Sequence, residues 1–217
     1  MARAIDLTHT VRSGMTVYPG TLPPAIDEVC TIAADGFSER RLHMFSHTGT
    51  HIDMPAHIFP DGKTITGCGP EQFFGKALVV ELNAFGTNTI NFIKKRLAGK
   101  PLPSFIIFKT GWDRYWGLPA YFHNFPVPAD DVTDFICTLG LKGIGIDTIS
   151  VDPTGSINLT NHRKLLPNNI IIVENLCNLD KLPETAFDFF CFPLKIENGD
   201  GSPVRAVAIV NQPEDDA

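Results

Sequence analysis

Several features that would mark a specialised class of protein are missing from this sequence of 217 residues. It contains no run of basic residues longer than the three at 94–96, and its formal net charge is −6, which argues against nucleic acid or an anionic membrane as a partner. Its longest apolar stretches have the length of a β-strand, far below the roughly 20 residues that a membrane helix needs. We therefore expect a protein that binds neither nucleic acid nor membranes.

The N-terminal segment and the cysteines also lack the signals of a secreted protein. Residues 1–6 contain no basic region followed by an apolar core, so they do not resemble a secretory signal. The five cysteines are an odd number, are widely scattered and include no Cys-x-x-Cys pair. This pattern predicts reduced thiols and a cytoplasmic location.

The composition is that of an ordinary globular protein, with 43% hydrophobic and 19% charged residues. Since no repeat, low-complexity tract or linker interrupts it, we expect a single domain over residues 1–217. Strand-like segments outnumber helical ones, and helices fall between some of them, which predicts an α/β fold with a mixed, partly barrel-like sheet and flanking helices. The predicted strands are 5–8, 42–45, 77–82, 105–109, 142–147, 170–174, 187–193 and 204–210, and the predicted helices are 91–97 and 128–139.

The segment 43–57 is the part of the sequence most indicative of chemistry, because it holds four of the seven histidines. In an extended chain, His47, His51 and Asp53 would share one face, with Gly49 between the histidines. The intervening residues are β-branched and favour that conformation. Two histidines and a carboxylate are a common ligand set for Zn²⁺, Mn²⁺ or Fe²⁺, so the segment predicts a metal site.

His57 follows the same segment, but Pro55 interrupts regular pairing, so the alternation cannot predict its direction. It is close enough in sequence to reach the same pocket. Glu174 ends the apolar run 170–173 and points either into a pocket or to solvent. His162, taken alone, is more typical of a histidine on a helix surface.

The remaining candidates are weaker. Asp147 follows the predicted strand 142–147 and is either a metal ligand or an acceptor that orients a histidine. His9, His43 and His123 have no such neighbours in the sequence, and we interpret them as structural or surface residues.

The motif His47–His57, with the sequence HTGTHIDMPAH, resembles the HxGTHxDxPxH signature of the cyclase family of metal-dependent hydrolases. That family includes bacterial kynurenine formamidases and isatin hydrolases. Segments before and after the motif also resemble the family in the right order, so that the resemblance covers nearly the whole chain. These segments are 5–9, 18–20, 109–113, 145–152 and 162–179.

The resemblance implies a set of roles. His47, His51 and Asp53 would bind one divalent metal, and Asp53 and Glu174 would bridge to a second, which His162 also binds. His57 would donate and accept the proton. The family's metals would be Zn or Mn, its fold a swivelling β/β/α domain, and its assembly a homodimer or higher homo-oligomer.

The implied activity is hydrolysis of a small amide C–N bond, as in an arylformamidase that acts on N-formylkynurenine. Two residues depart from the kynurenine formamidase pattern in a way that bears on the substrate. Tyr18 stands where these enzymes typically have Trp, and Thr21 stands where Asp is common in the family. We expect Tyr18 to contact the substrate, whereas Trp112, Tyr115 and Trp116 either line the pocket or pack in the core. The alternatives are hydrolysis of a cyclic amide or lactone, a ring-closing reaction, or metal binding without catalysis.

Overall fold

A curled sheet of nine strands forms the centre of the molecule, and the computed structural model describes residues 1–82 and 89–211. The predicted α/β class with a mixed sheet is confirmed. The strands are β1 (Ala2–Asp6), β2 (Ala25–Cys30), β3 (Glu39–His43), β4 (His51–Asp53), β5 (Phe74–Glu81), β6 (Phe105–Lys109), β7 (Gly143–Ile146), β8 (Ile171–Glu174), β9 (Phe187–Phe190), β10 (Gly201–Pro203) and β11 (Val207–Asn211).

The order of the strands in the sheet is β1-β11-β9-β5-β6-β7-β8-β4-β10, and β2 and β3 form a separate antiparallel hairpin. Strands β5 to β8 are parallel neighbours, and the flanking pairs are antiparallel. The helices in the described ranges are α1 (Ile32–Asp35), α2 (Thr89–Leu97), α3 (Asp130–Cys137) and α4 (Thr160–Leu165). Short 3-10 turns cover Pro55–His57, Ile65–Gly67, Pro70–Phe73, Trp112–Tyr115, Pro119–Phe122, Leu166–Asn168 and Leu179–Lys181.

The parallel strands are apolar because both of their faces are covered. On one face, Ile106 and Ile172 pack against residues of α2, α3 and α4. On the other face, Phe105 and Val173 pack against residues from the two ends of the sheet, including Ile5. Two apolar layers therefore enclose the middle of the sheet.

The curl of the sheet brings the end of β1 beside the segment that follows β8. The Cys177 N–H donates to the Leu7 carbonyl over 3.0 Å, and Thr8 pairs with Leu176 in an antiparallel bridge. These contacts bring the sheet's distant strands together, which explains its partly barrel-like form.

Most predicted strands and both predicted helices are present, but the segment 42–53 differs from its prediction. Strand β3 ends at His43, and the chain does not become extended again until His51. Residues 46–47 form a turn, and Gly49 has a φ of +65°, in the left-handed region that an extended strand does not contain. The interpretation of His47–Asp53 as one extended run was therefore wrong for its first half.

The sequence patterns did not predict β2, β10, α1 or the extent of α4. All five cysteines are free thiols. No helix within the described ranges is both long and apolar enough to cross a membrane.

Candidate metal centre

Strand β4 carries the centre of the site because it pairs antiparallel with β8. His51 lies opposite Glu174, and Asp53 lies opposite Ile172. Directly paired residues share one face of a sheet, so these three polar side chains lie on the face that packs against the helices. They are buried, and the His51 Nε2 atom is 3.3 Å from Asp53 Oδ1 and 3.6 Å from Glu174 Oε2.

The turn before β4 fixes the orientation of His51. Its Nδ1–H donates to the Gly49 carbonyl over 2.8 Å, and the Asn175 amide donates to the same carbonyl over 2.8 Å. Since a carbonyl can only accept, Nδ1 carries the proton of a neutral His51 and Nε2 keeps its lone pair. That lone pair faces the two carboxylates.

His47 contacts the Asp53 carboxylate from the turn that precedes β4, whereas His51 contacts it from the strand itself. Its Nδ1 is 2.6 Å from Asp53 Oδ1, and its Nε2 is 2.9 Å from Asp200 Oδ2. The prediction that His47, His51 and Asp53 come together holds in the geometry, although the route of the chain differs from the extended strand that was expected.

His162 lies on α4 and is buried, so the interpretation as a surface histidine was wrong. Helix α4 packs against β8, which turns this side chain toward the sheet. Its Nε2 is 3.4 Å from Asp53 Oδ2 and 3.6 Å from Glu174 Oε1. Its Nδ1 pairs with Asp152 Oδ2 at 2.7 Å, and Asp152 also accepts two N–H groups at the start of α4.

His57 lies at the open side of the cluster, in the 3-10 turn after β4. Its side chain is 32% exposed, its ring centroid is 4.0 Å from that of His47, and its Nδ1 is 3.5 Å from Asp200 Oδ2. Burial and the neighbouring cationic histidines lower the pKa of His57, against the opposing pull of Asp53 and Asp200. It is therefore a half-exposed imidazole beside a buried polar cluster.

The acids and histidines of the cluster shift one another's pKa values. Burial raises the pKa of Asp53, but His47 and His51 outweigh it and hold that pKa well below its usual value. Burial and the Asp53 charge raise the pKa of Glu174 to about 7. Burial lowers the pKa of His47, but Asp53 and Asp200 outweigh it and raise that pKa to about 9.

The side chains of the cluster fit a divalent cation. One ligand atom each from His51, Asp53 and Glu174 lies within 4.8 Å of the others, and a second such group is His47, Asp53 and His57. The Asp53 Oδ2 atom is buried without a hydrogen-bond partner, a costly arrangement unless a cation approaches it. Imidazole and carboxylate ligands together suit Zn²⁺ or Mn²⁺.

A cavity of about 660 Å³ opens above the cluster, and its lining includes the four histidines and three acids of the cluster. Tyr18 forms part of its wall, and the Tyr18 hydroxyl accepts the Gly155 N–H over 3.1 Å. The cavity has the size of a small-molecule site. Its lining residues are Tyr18, Gly20, Thr21, Phe45, Ser46, His47, His51, Asp53, His57, Ile149, Ser150, Ser156, Leu159, His162, Glu174 and Asp200.

The other aromatic candidates are packing residues. Trp112, Tyr115 and Trp116 join a cluster around buried Tyr121, away from the cavity lining. His9 stacks on Trp116 with 3.8 Å between ring centroids. His43 and His123 are exposed. These three histidines are therefore structural or surface residues, as expected.

Asp147 differs from its prediction, and two other acids were missed. The Asp147 carboxylate accepts the backbone N–H groups of Thr110 and Gly111 and the Thr110 hydroxyl, and no contact found in the described ranges joins it to a histidine. Asp152 and Asp200, which do contact the histidines of the cluster, had no motif of their own. The only signal for Asp200 was its place between two glycines just before a strand-like segment.

Comparison with known proteins gives a consistent result. Residues 5–153 match the family model described as "Putative cyclase". The kynurenine formamidase of Paracidovorax citrulli (strain AAC00-1) is 33% identical in an alignment 215 residues long that covers 93% of this chain and 94% of that protein.

Solved structures share the fold. Isatin hydrolase A from Labrenzia aggregata, solved with benzyl benzoate, superposes with a TM-score of 0.86 at 24% identity, over 97% of this chain and 94% of that one. A structure described as a potential metal-dependent hydrolase with cyclase activity has a TM-score of 0.77 at 25% identity, over 98% of this chain and 100% of that one. The family model covers most of the chain and the formamidase is similar over nearly all of it, so the chain belongs to the cyclase family.

Proposed function

We propose that this protein is a metal-dependent hydrolase that cleaves a small amide C–N bond, with an arylformamidase-like activity on N-formylkynurenine. The observation that carries the proposal is the buried Asp53 Oδ2, which lacks a hydrogen bond of good geometry within the described residues and has His162 Nε2 at 3.4 Å, among three histidines and a second carboxylate, beside the half-exposed His57. This arrangement provides a place for a cation, an open side for a substrate and a group for proton transfer. The 33% identity to a kynurenine formamidase supports the choice of reaction.

The proposed ligands are His47, His51 and Asp53 for one cation, with Asp53, Glu174 and His162 for a second. Zn²⁺ and Mn²⁺ are the proposed ions. When bound, such a cation polarises the amide carbonyl and lowers the pKa of a coordinated water toward about 7.

His57 is the proposed proton-transfer residue. Its ring lies beside His47 but is a third exposed, so a substrate in the cavity can reach it. Burial, the first cause of the lowered pKa of His57, favours the neutral ring, which can take up a proton. The same ring, once protonated, would deliver that proton to the leaving nitrogen, a role typically worth about 10²–10⁴-fold in rate.

Tyr18 is the proposed contact for the substrate's aromatic ring. It lies in the cavity wall, and its hydroxyl is held by the Gly155 N–H. Three finer proposals remain. The composition and the cysteine pattern support a single domain over residues 1–217 and a cytoplasmic location, and the family resemblance supports assembly into a homodimer or higher homo-oligomer.

The first test is hydrolysis of N-formylkynurenine by protein reconstituted with Zn²⁺ or Mn²⁺. We expect turnover with either or both ions and none after chelation. A folded, metal-loaded protein without this turnover would contradict the arylformamidase assignment. Because Tyr18 replaces the usual tryptophan, isatin and small lactones form the second substrate set, and their turnover would favour the cyclic-amide alternative.

A further inference from the structure

The side chain of Asp200 lies between two histidines to which the proposed function gives different tasks. A single atom, Asp200 Oδ2, is 2.9 Å from Nε2 of His47 and 3.5 Å from Nδ1 of His57. His47 is a proposed metal ligand, and His57 is the proposed proton-transfer residue. One carboxylate therefore contacts both parts of the proposed machinery.

The backbone around Asp200 fixes this contact. The Asp200 carbonyl accepts the Met54 N–H over 2.9 Å, and Gly201 pairs with Asp53 in the ladder between β4 and β10. A Cβ at Gly201 would lie 2.5 Å from His47 Cε1 and 2.7 Å from the Ile52 carbonyl oxygen. The glycine thus allows β10 to approach β4 closely, which brings Asp200 to the edge of the cluster.

A purely structural role explains the placement of Asp200 poorly. Its side chain is 42% exposed, and an exposed ion pair contributes little to folding stability. The Asp200 carboxylate accepts from the His47 imidazole over 2.9 Å, besides hydrogen bonds with the Ser46 side chain and its own backbone N–H. The contact instead affects the imidazole, because a carboxylate accepts only from a nitrogen that carries a proton.

We propose that Asp200 is a positioning residue that holds the His47 proton on Nε2, so that Nδ1 is the metal-binding nitrogen, and that orients the His57 ring over the cavity. His47 Nδ1 already faces Asp53 at 2.6 Å. A carboxylate behind a ligating histidine is a common way to fix its tautomer and ring orientation. This inference rests on the proposed function, since it presumes that His47 is a ligand and His57 transfers a proton.

The test compares Asp200→Ala and Asp200→Asn with Glu197→Gln, which removes one exposed charge from the same loop. Zn²⁺ affinity is measured by equilibrium dialysis with elemental analysis. We expect Asp200→Ala to bind Zn²⁺ about 10–100-fold more weakly, as is typical when an outer partner of a ligand is lost. Asp200→Asn keeps an oxygen acceptor and should recover part of that loss, and Glu197→Gln should match the unmodified protein.

A second readout does not depend on metal or substrate. In the crystal structure of metal-free Asp200→Ala, we expect the His47 or His57 ring to rotate away from its present orientation. Unchanged rings together with unchanged Zn²⁺ affinity would overturn the inference. If the unmodified protein binds Zn²⁺ but hydrolyses no amide, the proposed function fails, while the affinities of the variants still decide the role of Asp200.

Discussion

Two buried carboxylates lie at the ends of the neighbouring parallel strands β7 and β8, but their hydrogen-bond partners differ. Asp147, after β7, accepts the backbone N–H groups of Thr110 and Gly111 at 2.9 and 2.7 Å and the Thr110 hydroxyl at 2.6 Å. Glu174, at the end of β8, accepts one N–H, from Val151, and otherwise faces histidines. The Asp147 carboxylate accepts several hydrogen bonds from neighbouring protein groups. Within the described ranges, the Glu174 carboxylate accepts only the one from Val151, so most of its lone pairs are left for a ligand in the cavity.

The electrostatics alone would not separate these two acids. Burial is the main cause that raises the pKa of Asp147 to about 6 and that of Glu174 to about 7. What differs is the number of N–H and O–H donors around each carboxylate. A buried acid that lacks donors and faces imidazole nitrogens is a candidate metal ligand, and a buried acid with several donors is a structural one.

Neutralising each acid in turn should give the largest and clearest contrast. Glu174→Gln removes a proposed ligand, so we expect loss of bound metal and a decrease in turnover of more than about 100-fold. Asp147→Asn sets an amide NH₂ against N–H donors, so it should lower the free energy of unfolding by about 1–3 kcal/mol and leave metal affinity unchanged. Metal analysis and chemical denaturation of both variants measure the contrast, and equal metal loss in both would refute it.

Removal of His57 should separate proton transfer from metal binding. His57→Ala is expected to keep its metal while turnover falls by about 10²–10⁴-fold, because the ring lies at the open edge of the cluster. His51→Ala is the matched variant, and it should lose both metal and turnover because His51 lies between the two carboxylates. Elemental analysis together with a rate assay distinguishes the two variants. A fully active His57→Ala enzyme would contradict the assignment of His57 as the proton-transfer residue.

Metal affinity should weaken as the pH falls below 9. The Asp147 carboxylate and its donors at 110–111 do not contact the metal ligands, so they should not contribute to this change. Without metal, neighbouring carboxylates outweigh burial and raise the pKa of His47 to about 9 and that of His162 to about 10. A ligating nitrogen must lose its proton, so each such proton costs about tenfold in affinity per pH unit below its pKa. Competition titrations with a chelator of known affinity at pH 6, 7.5 and 9 measure the slope. A flat profile would contradict the assignment of these histidines as ligands.

The smallest effect is expected at the cavity wall. Tyr18→Phe removes only the hydroxyl that accepts the Gly155 N–H, so the KM should change by no more than about threefold. Tyr18→Ala removes the ring, and loss of an aromatic contact should raise the KM by up to about tenfold. Both should leave metal content unchanged. A large loss of metal in either variant would show that Tyr18 supports the metal centre rather than the substrate.

The sequence predicted the central strands well because their apolar runs report burial on both faces. The run 105–109 is a strand with the predicted bounds, and the clustering of His47, His51 and Asp53 was visible from spacing and composition. The path of the backbone through that cluster could not be predicted, because Gly49 adopts a left-handed conformation that the alternation of side chains does not reveal.

The sequence patterns also could not predict contacts between residues that are far apart along the chain. Asp200 is 153 residues from His47 along the chain and reaches it only because β10 pairs with β4. The burial of His162 depends on the packing of α4 against β8, and the different fates of Asp147 and Glu174 depend on donors from distant loops. Residue type and spacing report local geometry, whereas these contacts follow from the topology of the sheet.

The central claim is that the cluster around Asp53 works with a divalent cation, and metal removal tests it most directly. The protein is treated with a chelator until elemental analysis finds no bound metal, and turnover is measured on the substrate that the untreated enzyme hydrolyses. We predict that turnover falls to background and returns on addition of Zn²⁺ or Mn²⁺. A folded, metal-free protein that retains its turnover would contradict the account.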